Sequence, residues 1–261
     1  MKNVLFLSAL VLPALMMSGC DSMCQFGKAR SPGATTAPEI MRAAYDCPFS
    51  ETPITVDGEL NEPVWKKART ISFAIPVSFK EPISKTEARI VYDKDFLYVA
   101  FKAYDEDVWG MLTERDDSTC REDVLEIFFK TDPDKDPYFN FEINVLNTVL
   151  DAYNLKRNAA GNYKRWSQWD CAGLKMASKI KGTVNNWTDR DEYWILEVAI
   201  PFAEIPTLGG KAPVKGDKWC FNLARYDYSI YLPEGRELTA SAPLSVLNYH
   251  WHEDWPVLIF N

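Results

Sequence analysis

The chain has 261 residues, 47% of them hydrophobic, and its 9 Trp, 12 Tyr and 14 Phe supply enough bulk for a sizeable core. The formal charge is −8 and no basic run is present. That balance excludes nucleic acid as a partner, because phosphate binding needs clustered Lys and Arg.

Lys2 opens a short positive start, followed by an apolar run from Val4 to Met17. The run is shorter than the roughly 20 residues a bilayer-spanning helix needs, so it reads as a signal peptide. It ends in Met17-Ser18-Gly19-Cys20, which resembles the bacterial lipobox. The expectation is a signal peptide over 1–19, lipid attachment at Cys20, and an extracytoplasmic domain anchored to a membrane without crossing it. Residues 20–49 show no sustained periodicity, and Ser31 to Pro38 is rich in tether residues, so the folded domain is expected over 50–261.

Cysteines outside the cytoplasm tend to pair. With Cys20 lipidated, Cys24, Cys47, Cys120, Cys171 and Cys220 remain, an odd set whose spacing matches no zinc site. A Cys120–Cys171 disulfide is expected, because each residue adjoins a loop placed near the site described below.

Further along, strand periodicity dominates. Asn61 is placed as a cap and Pro63 in the first turn of a short helix whose Val64 and Ala68 share a face. Thr86 to Tyr92 and Phe96 to Asp105 read as strands joined by the polar break Asp93-Lys94-Asp95. Val124 to Lys130 follows. Tyr138 to Val145 alternates cleanly, with Phe139, Phe141, Ile143 and Val145 on one face and Asn140, Glu142 and Asn144 on the other. Thr148 to Asn154, Trp194 to Ile200, Trp219 to Tyr228 and Val257 to Phe260 complete the set. Short strands joined by polar turns predict an all-β fold, an antiparallel β-sandwich of jelly-roll or immunoglobulin-like type with one or two helical turns. Trp65, Trp194, Trp219 and Trp255 are assigned to the core.

Several segments carry a family resemblance. Ile54-Thr55-Val56-Asp57-Gly58-Glu59-Leu60-Asn61-Glu62-Pro63-Val64-Trp65 resembles the opening of family 9 carbohydrate-binding modules and their DOMON-like relatives. Asp123 to Phe129 resembles the family's acidic-then-apolar central strand, and Phe139 to Asn144 with Thr148 to Asp151 its next hairpin. Trp194 to Pro201, Gly216 to Trp219 and Asn248 to Trp255 resemble later signatures. The resemblance implies a β-sandwich that binds a saccharide or polysaccharide without catalysis, with calcium in some members and glycoside hydrolases as frequent companions. It also implies a clamping aromatic just before the central strand, where this chain has Cys120.

Sugar recognition needs flat aromatic faces and a few fixed polar groups. Glu126, Asn140, Glu142 and Asn144 are the expected hydroxyl contacts, with Arg115 and Arg225 as further donors. Tyr163, Trp166, Trp169 and Trp251 are expected to stack, and Trp109, Trp166 or Trp169 to replace the missing clamp. Two other chemistries compete. Glu126 and Glu142 would approach the carboxylate spacing of a retaining glycosidase if their strands pair in register. His250 and His252, two apart, would share a strand face able to hold a transition metal, or serve haem as in some DOMON relatives. Asp132, Asp134 and Asp136 alternate as calcium ligands do but lack the Gly and distal Glu of an EF-hand, so a solvated turn is expected.

Overall fold

The computed structural model describes residues 36–159 and 165–261. The signal-peptide and lipid-anchor readings, Cys20, Cys24 and Tyr163 lie outside the described residues. In chain order come α1 (Glu39–Arg42), β1 (Tyr45–Cys47), α2 (Pro63–Lys67), β2 (Ile71–Ser72), β3 (Thr86–Tyr92) and β4 (Phe96–Tyr104). Then follow β5 (Val124–Lys130), β6 (Tyr138–Asn144), β7 (Val149–Asn154) and β8 (Lys175–Lys181). The last four are β9 (Tyr193–Pro201), β10 (Lys218–Tyr228), β11 (Arg236–Ala240) and β12 (Val257–Phe260).

These strands make the two sheets of a sandwich. The larger runs β1-β12-β10-β5-β6-β7, and the smaller β2-β3-β4-β9-β8. Strand β10 is long enough for β12 to pair along its first residues and β11 along its last. All pairings are antiparallel except β1 with β12. The polar break between β3 and β4 closes as expected, with Asp93 Oδ1 accepting the backbone N–H of Asp95 and Phe96.

Alternation decides what faces inward. Leu125, Ile127 and Phe129 of β5 meet Phe139, Phe141 and Ile143 of β6 and Trp219, Phe221 and Leu223 of β10 against the inner face of the smaller sheet. Phe129 stacks on Phe139 and on Trp219, each with centroids 5.1 Å apart, and Tyr153 continues the stack at 4.8 Å from Phe139. Each such side chain stabilises the fold by about 1.5–3 kcal/mol through burial. Trp65, Trp194, Trp219 and Trp255 are all core residues, as expected.

The outward face of the larger sheet is not open to water. Residues 242–255 fold across it, and Ala242, Leu244, Tyr249 and Trp255 pack on Val124, Phe128, Tyr138 and Tyr226. All seven residues of β5 are therefore buried, which accounts for the near-continuous apolar run of its sequence. On the smaller sheet, Val64, Trp65 and Ala68 cover Val91, Tyr98 and Ala100. There Glu197 Oε2 accepts the backbone N–H of Asp57 and Gly58, both at 3.0 Å. Gly58 has φ +79°, and a Cβ on it would come within 3.0 Å of Lys179, so this turn needs glycine.

Three expectations are corrected. The folded unit starts before position 50: Tyr45 and Cys47 are fully buried, and β1 extends the larger sheet. The cap of α2 is Glu62, whose side chain binds the N–H of Thr55 rather than the helix; Asn61 lies one residue earlier. The Cys120–Cys171 disulfide does not form. Cys171 is a free thiol in the core between the sheets, whereas Cys120 packs with the cluster on the opposite side of the larger sheet. Cys120 is disulfide-bonded, but none of the free thiols Cys47, Cys171 and Cys220 is its partner.

Candidate functional site

Strands β5 and β6 place Glu126 directly opposite Glu142, and the neighbouring pair sets Phe128 against Asn140. Alternation then puts Glu126, Asn140 and Glu142 on the outward face, as the sequence predicts. Their cover makes a small cavity of about 20 Å³, lined also by Cys120, Tyr226, Leu247 and His250. That volume suits one water or one hydroxyl group and is too small for a sugar ring.

A polar atom beside it is unspent. Asn140 is 1% exposed, and its Nδ2 donates to Glu142 Oε1 at 3.0 Å while its Oδ1 has no partner. Glu142 also accepts from Thr119 Oγ1 at 3.3 Å. Glu126 is buried, yet among the described residues no hydrogen bond reaches its carboxylate. His250 Nδ1 shares a 2.9 Å hydrogen bond with Tyr138 Oη, and its ring meets Phe128 edge-on. Burial pushes the Glu142 carboxyl up to about 7, against the hydrogen bonds from Thr119 and Asn140. Burial, and then the charge of Glu142, hold Glu126 well above the ordinary carboxylate range. Burial lowers His250 to about 4, so its imidazole is neutral at pH 7.

Asn144 shares the face but has no free valence. Its Nδ2 donates to Leu112 O and Glu122, and its Oδ1 accepts from the N–H of Leu146 and Thr148. These bonds fix two loops and leave the side chain nothing for a ligand.

Arg225 belongs to another part of the molecule. It lies in phase with Trp219, Phe221 and Leu223, so it points between the sheets and is 1% exposed. Its guanidinium donates to Asp105 Oδ2 and to Tyr104 O, both at 2.8 Å, and lies 3.3 Å from Asp227 Oδ1. Arg115 is likewise occupied, donating to both oxygens of Asp151 and to Asp170. Trp169 packs against Phe139, Phe141 and Tyr153 at the margin of the inner core, away from Glu126. Trp166 is buried, with the Arg165 guanidinium 4.7 Å from its ring centroid. Trp251 flanks the outward face, but Arg157 sits 4.4 Å over its ring. Trp109 is half-exposed in a loop whose backbone N–H binds Asp123, an inward-phase residue at the start of the sheet.

The expected strand pair of histidines does not form. His252 begins a 3-10 turn, and both rings pack against Tyr138 instead of sharing a strand face. Asp132 takes the N–H of Asp134 and the Lys135 ammonium, as a solvated turn would. Carboxylates gather instead as Asp105, Asp123 and Asp227, and as Asp116, Asp151 and Asp170. Calcium takes six to eight oxygens. In the first cluster Arg225 meets Asp105 and Asp227, and both Asp227 oxygens are buried without a hydrogen-bond donor; in the second Arg115 joins Asp151 and Asp170. Around Arg225, burial holds Asp123 well above the usual range and raises Asp105 to about 7.

The sequence reading missed Thr119, Tyr226 and Leu247 as site residues. Tyr226 was accessible from alternation, being two residues beyond outward-facing Ala224. Leu247 lies outside any periodic segment, and only the folding of the closing segment onto the sheet brings it to the cavity.

A family model described as carbohydrate family 9 binding domain-like matches residues 56–239. No curated protein matches the chain. Among solved structures, a candidate carbohydrate-binding protein from Bacteroides uniformis ATCC 8492 aligns with a TM-score of 0.60 at 15% identity, over 84% of this chain and 99% of that one. A family 9 carbohydrate-binding module from Caldicellulosiruptor kristjanssonii in complex with glucose gives 0.55 at 14% identity, over 83% and 94%. A module of that family and organism in complex with cellotriose gives 0.53 at 13%, over 83% and 93%. At these identities the likeness is one of fold.

Proposed function

Since the chain belongs to the carbohydrate family 9 binding domain-like family, we propose that it binds a saccharide non-covalently over the cavity lined by Glu126 and Glu142, beside Asn140. The observation that carries this reading is the buried pair Glu126 and Glu142 lining one opening, with the partnerless Oδ1 of Asn140 on the residue that donates to Glu142. Leaving Asn140 Oδ1 buried and unpaired costs about 1–3 kcal/mol, which a ligand hydroxyl would offset. The cavity volume sets the mode: one hydroxyl enters while the ring rests outside, against the half-exposed Leu247. Carbohydrate-binding neighbours hold glucose and cellotriose, and these are the first probes for this chain.

The same cavity argues against hydrolysis. Glu126 and Glu142 pair in register, but no glycosidic bond fits between them in about 20 Å³. The wider reading is a domain tethered outside the cytoplasm by lipid on Cys20, holding polysaccharide for partner glycoside hydrolases. It rests on the lipobox-like Met17 to Cys20 segment and on the family. Titration of the protein with glucose and cellotriose, followed by tryptophan fluorescence, tests the binding. Saturable quenching abolished by Glu126→Gln supports the reading, and quenching indifferent to that substitution removes it.

A further inference from the structure

A second cleft lies on the other sheet. In β4 the outward residues are Tyr98, Ala100, Lys102 and Tyr104, and Tyr104 stands opposite Tyr193 of β9. The two rings meet at 6.3 Å and 66°. The Lys102 ammonium sits over both, 3.9 Å from the Tyr193 centroid and 4.9 Å from that of Tyr104. Ser84 on one side and Ser229, Tyr231 and Leu232 on the other wall a cleft of about 480 Å³. That volume falls in the range of small-molecule sites, and the lining of aromatic rings with a few polar groups matches their make-up.

Charge distribution narrows the ligand. Of the acids lining the cleft, Glu106 is paired with Arg190, Glu192 with Lys181 and Asp105 with Arg225. Asp191 is buried and its oxygens accept the backbone N–H of Val108 and Thr183. Glu87, across the strand pair from Lys102, is held by Lys85 at 2.5 Å. Among the described residues Lys102 has no carboxylate partner. Its cation is steered by the two ring faces, which attract it without neutralising it. Beside the cleft, Tyr231 Oη donates to the carbonyl of Trp187 at 3.0 Å, and Trp187 is 67% exposed, as is Ile83 on the opposite wall.

We propose that this cleft binds a hydroxylated carboxylate of the hexuronate class, with Lys102 meeting the carboxylate and Ser84 and Ser229 the hydroxyls. Tyr104 and Tyr193 supply the apolar wall, and exposed Trp187 extends the surface for a neighbouring sugar. The site is separate from the Glu126 cavity, which lies on the outward face of the opposite sheet.

The test is calorimetric titration of the protein with trigalacturonate, galacturonate and neutral cellotriose, in wild type, Lys102→Gln, Lys102→Arg and Glu126→Gln. Trigalacturonate is expected to bind wild type and Glu126→Gln equally, to weaken about tenfold or more in Lys102→Gln, and to recover with Lys102→Arg. Added salt should weaken it, as a half-buried ion contact requires. Tighter binding of the trimer than of the monomer assigns the site to an acidic glycan, and equal binding to a free sugar acid. An independent readout needs no substitution: trigalacturonate should shield Lys102, and not exposed Lys94, from acetylation by an amine-reactive ester. No uronate binding, binding unchanged in Lys102→Gln, binding lost in Glu126→Gln, or Lys102 acetylated equally with and without trigalacturonate would each overturn the proposal.

Discussion

Glu126 and Glu142 face each other across β5 and β6, two carboxyl groups on adjacent strands beside Tyr226 and under a cover of Leu247 and His250. Like charges so placed cannot both ionise freely in a dry site. Both carboxyl groups are raised, Glu142 to about 7. The pair is a neutral or singly charged acceptor site at physiological pH, suited to holding a hydroxyl.

This relationship makes stability depend on pH with a definite sign. Glu142 has a folded pKa above its unfolded value of about 4.5. Its contribution is fully present below about 4.5 and is lost as pH rises through about 7, because the unfolded chain gives up the proton first. Urea denaturation from pH 4.5 to 8 should show wild type falling relative to Glu142→Gln across this window. A constant difference between the two proteins would contradict the assignment.

Arg225→Leu should cost stability rather than sugar affinity. It leaves Asp105, Asp123 and Asp227 buried without their cation, a loss of about 3–5 kcal/mol by denaturant titration. Asn144→Ala, which strands the N–H groups of Leu146 and Thr148, should cost about 1–3 kcal/mol. In both variants the folded fraction should bind saccharide as wild type does, checked by titration at low temperature. A selective loss of affinity in either would return that residue to the binding site.

Thiol mapping tests the corrected cysteine assignment. Alkylation in denaturant without reductant, read by peptide mass, should label Cys47, Cys171 and Cys220 and spare Cys120. In the native protein the same three should resist, since all are buried and burial raises each thiol above its ordinary value.

Much of this architecture was legible in the chain. Strands with strict alternation, such as Tyr138–Asn144, or a bounded apolar run, such as Val124–Lys130, were read to within a residue, because one buried face fixes the period. Strand β8 escaped, since Lys-Met-Ala-Ser-Lys-Ile-Lys is a half-exposed edge with little apolar contrast, and β1 and β2 are too short to show a period. At the site, phase correctly joined Asn140 and Glu142 to Glu126. Arg225, expected as a donor at the site, is instead buried between the sheets. Its phase with Trp219, Phe221 and Leu223 points inward, and of the three aspartates that make this tolerable Asp227 is two residues on in the same strand, while Asp105 and Asp123 come from distant segments. The same non-local logic hid the cover over β5, which depends on residues more than a hundred positions later.

The most direct test of saccharide binding at Glu126 is a glycan-array screen of the protein beside Glu126→Gln and Asn140→Ala, with tryptophan fluorescence titration of each hit. The account predicts saturable binding to at least one neutral glycan in wild type, weakened about tenfold or more in both variants while thermal melts confirm that they fold. Hits that bind the variants as tightly as wild type, or an array with no neutral hit at all, would contradict it.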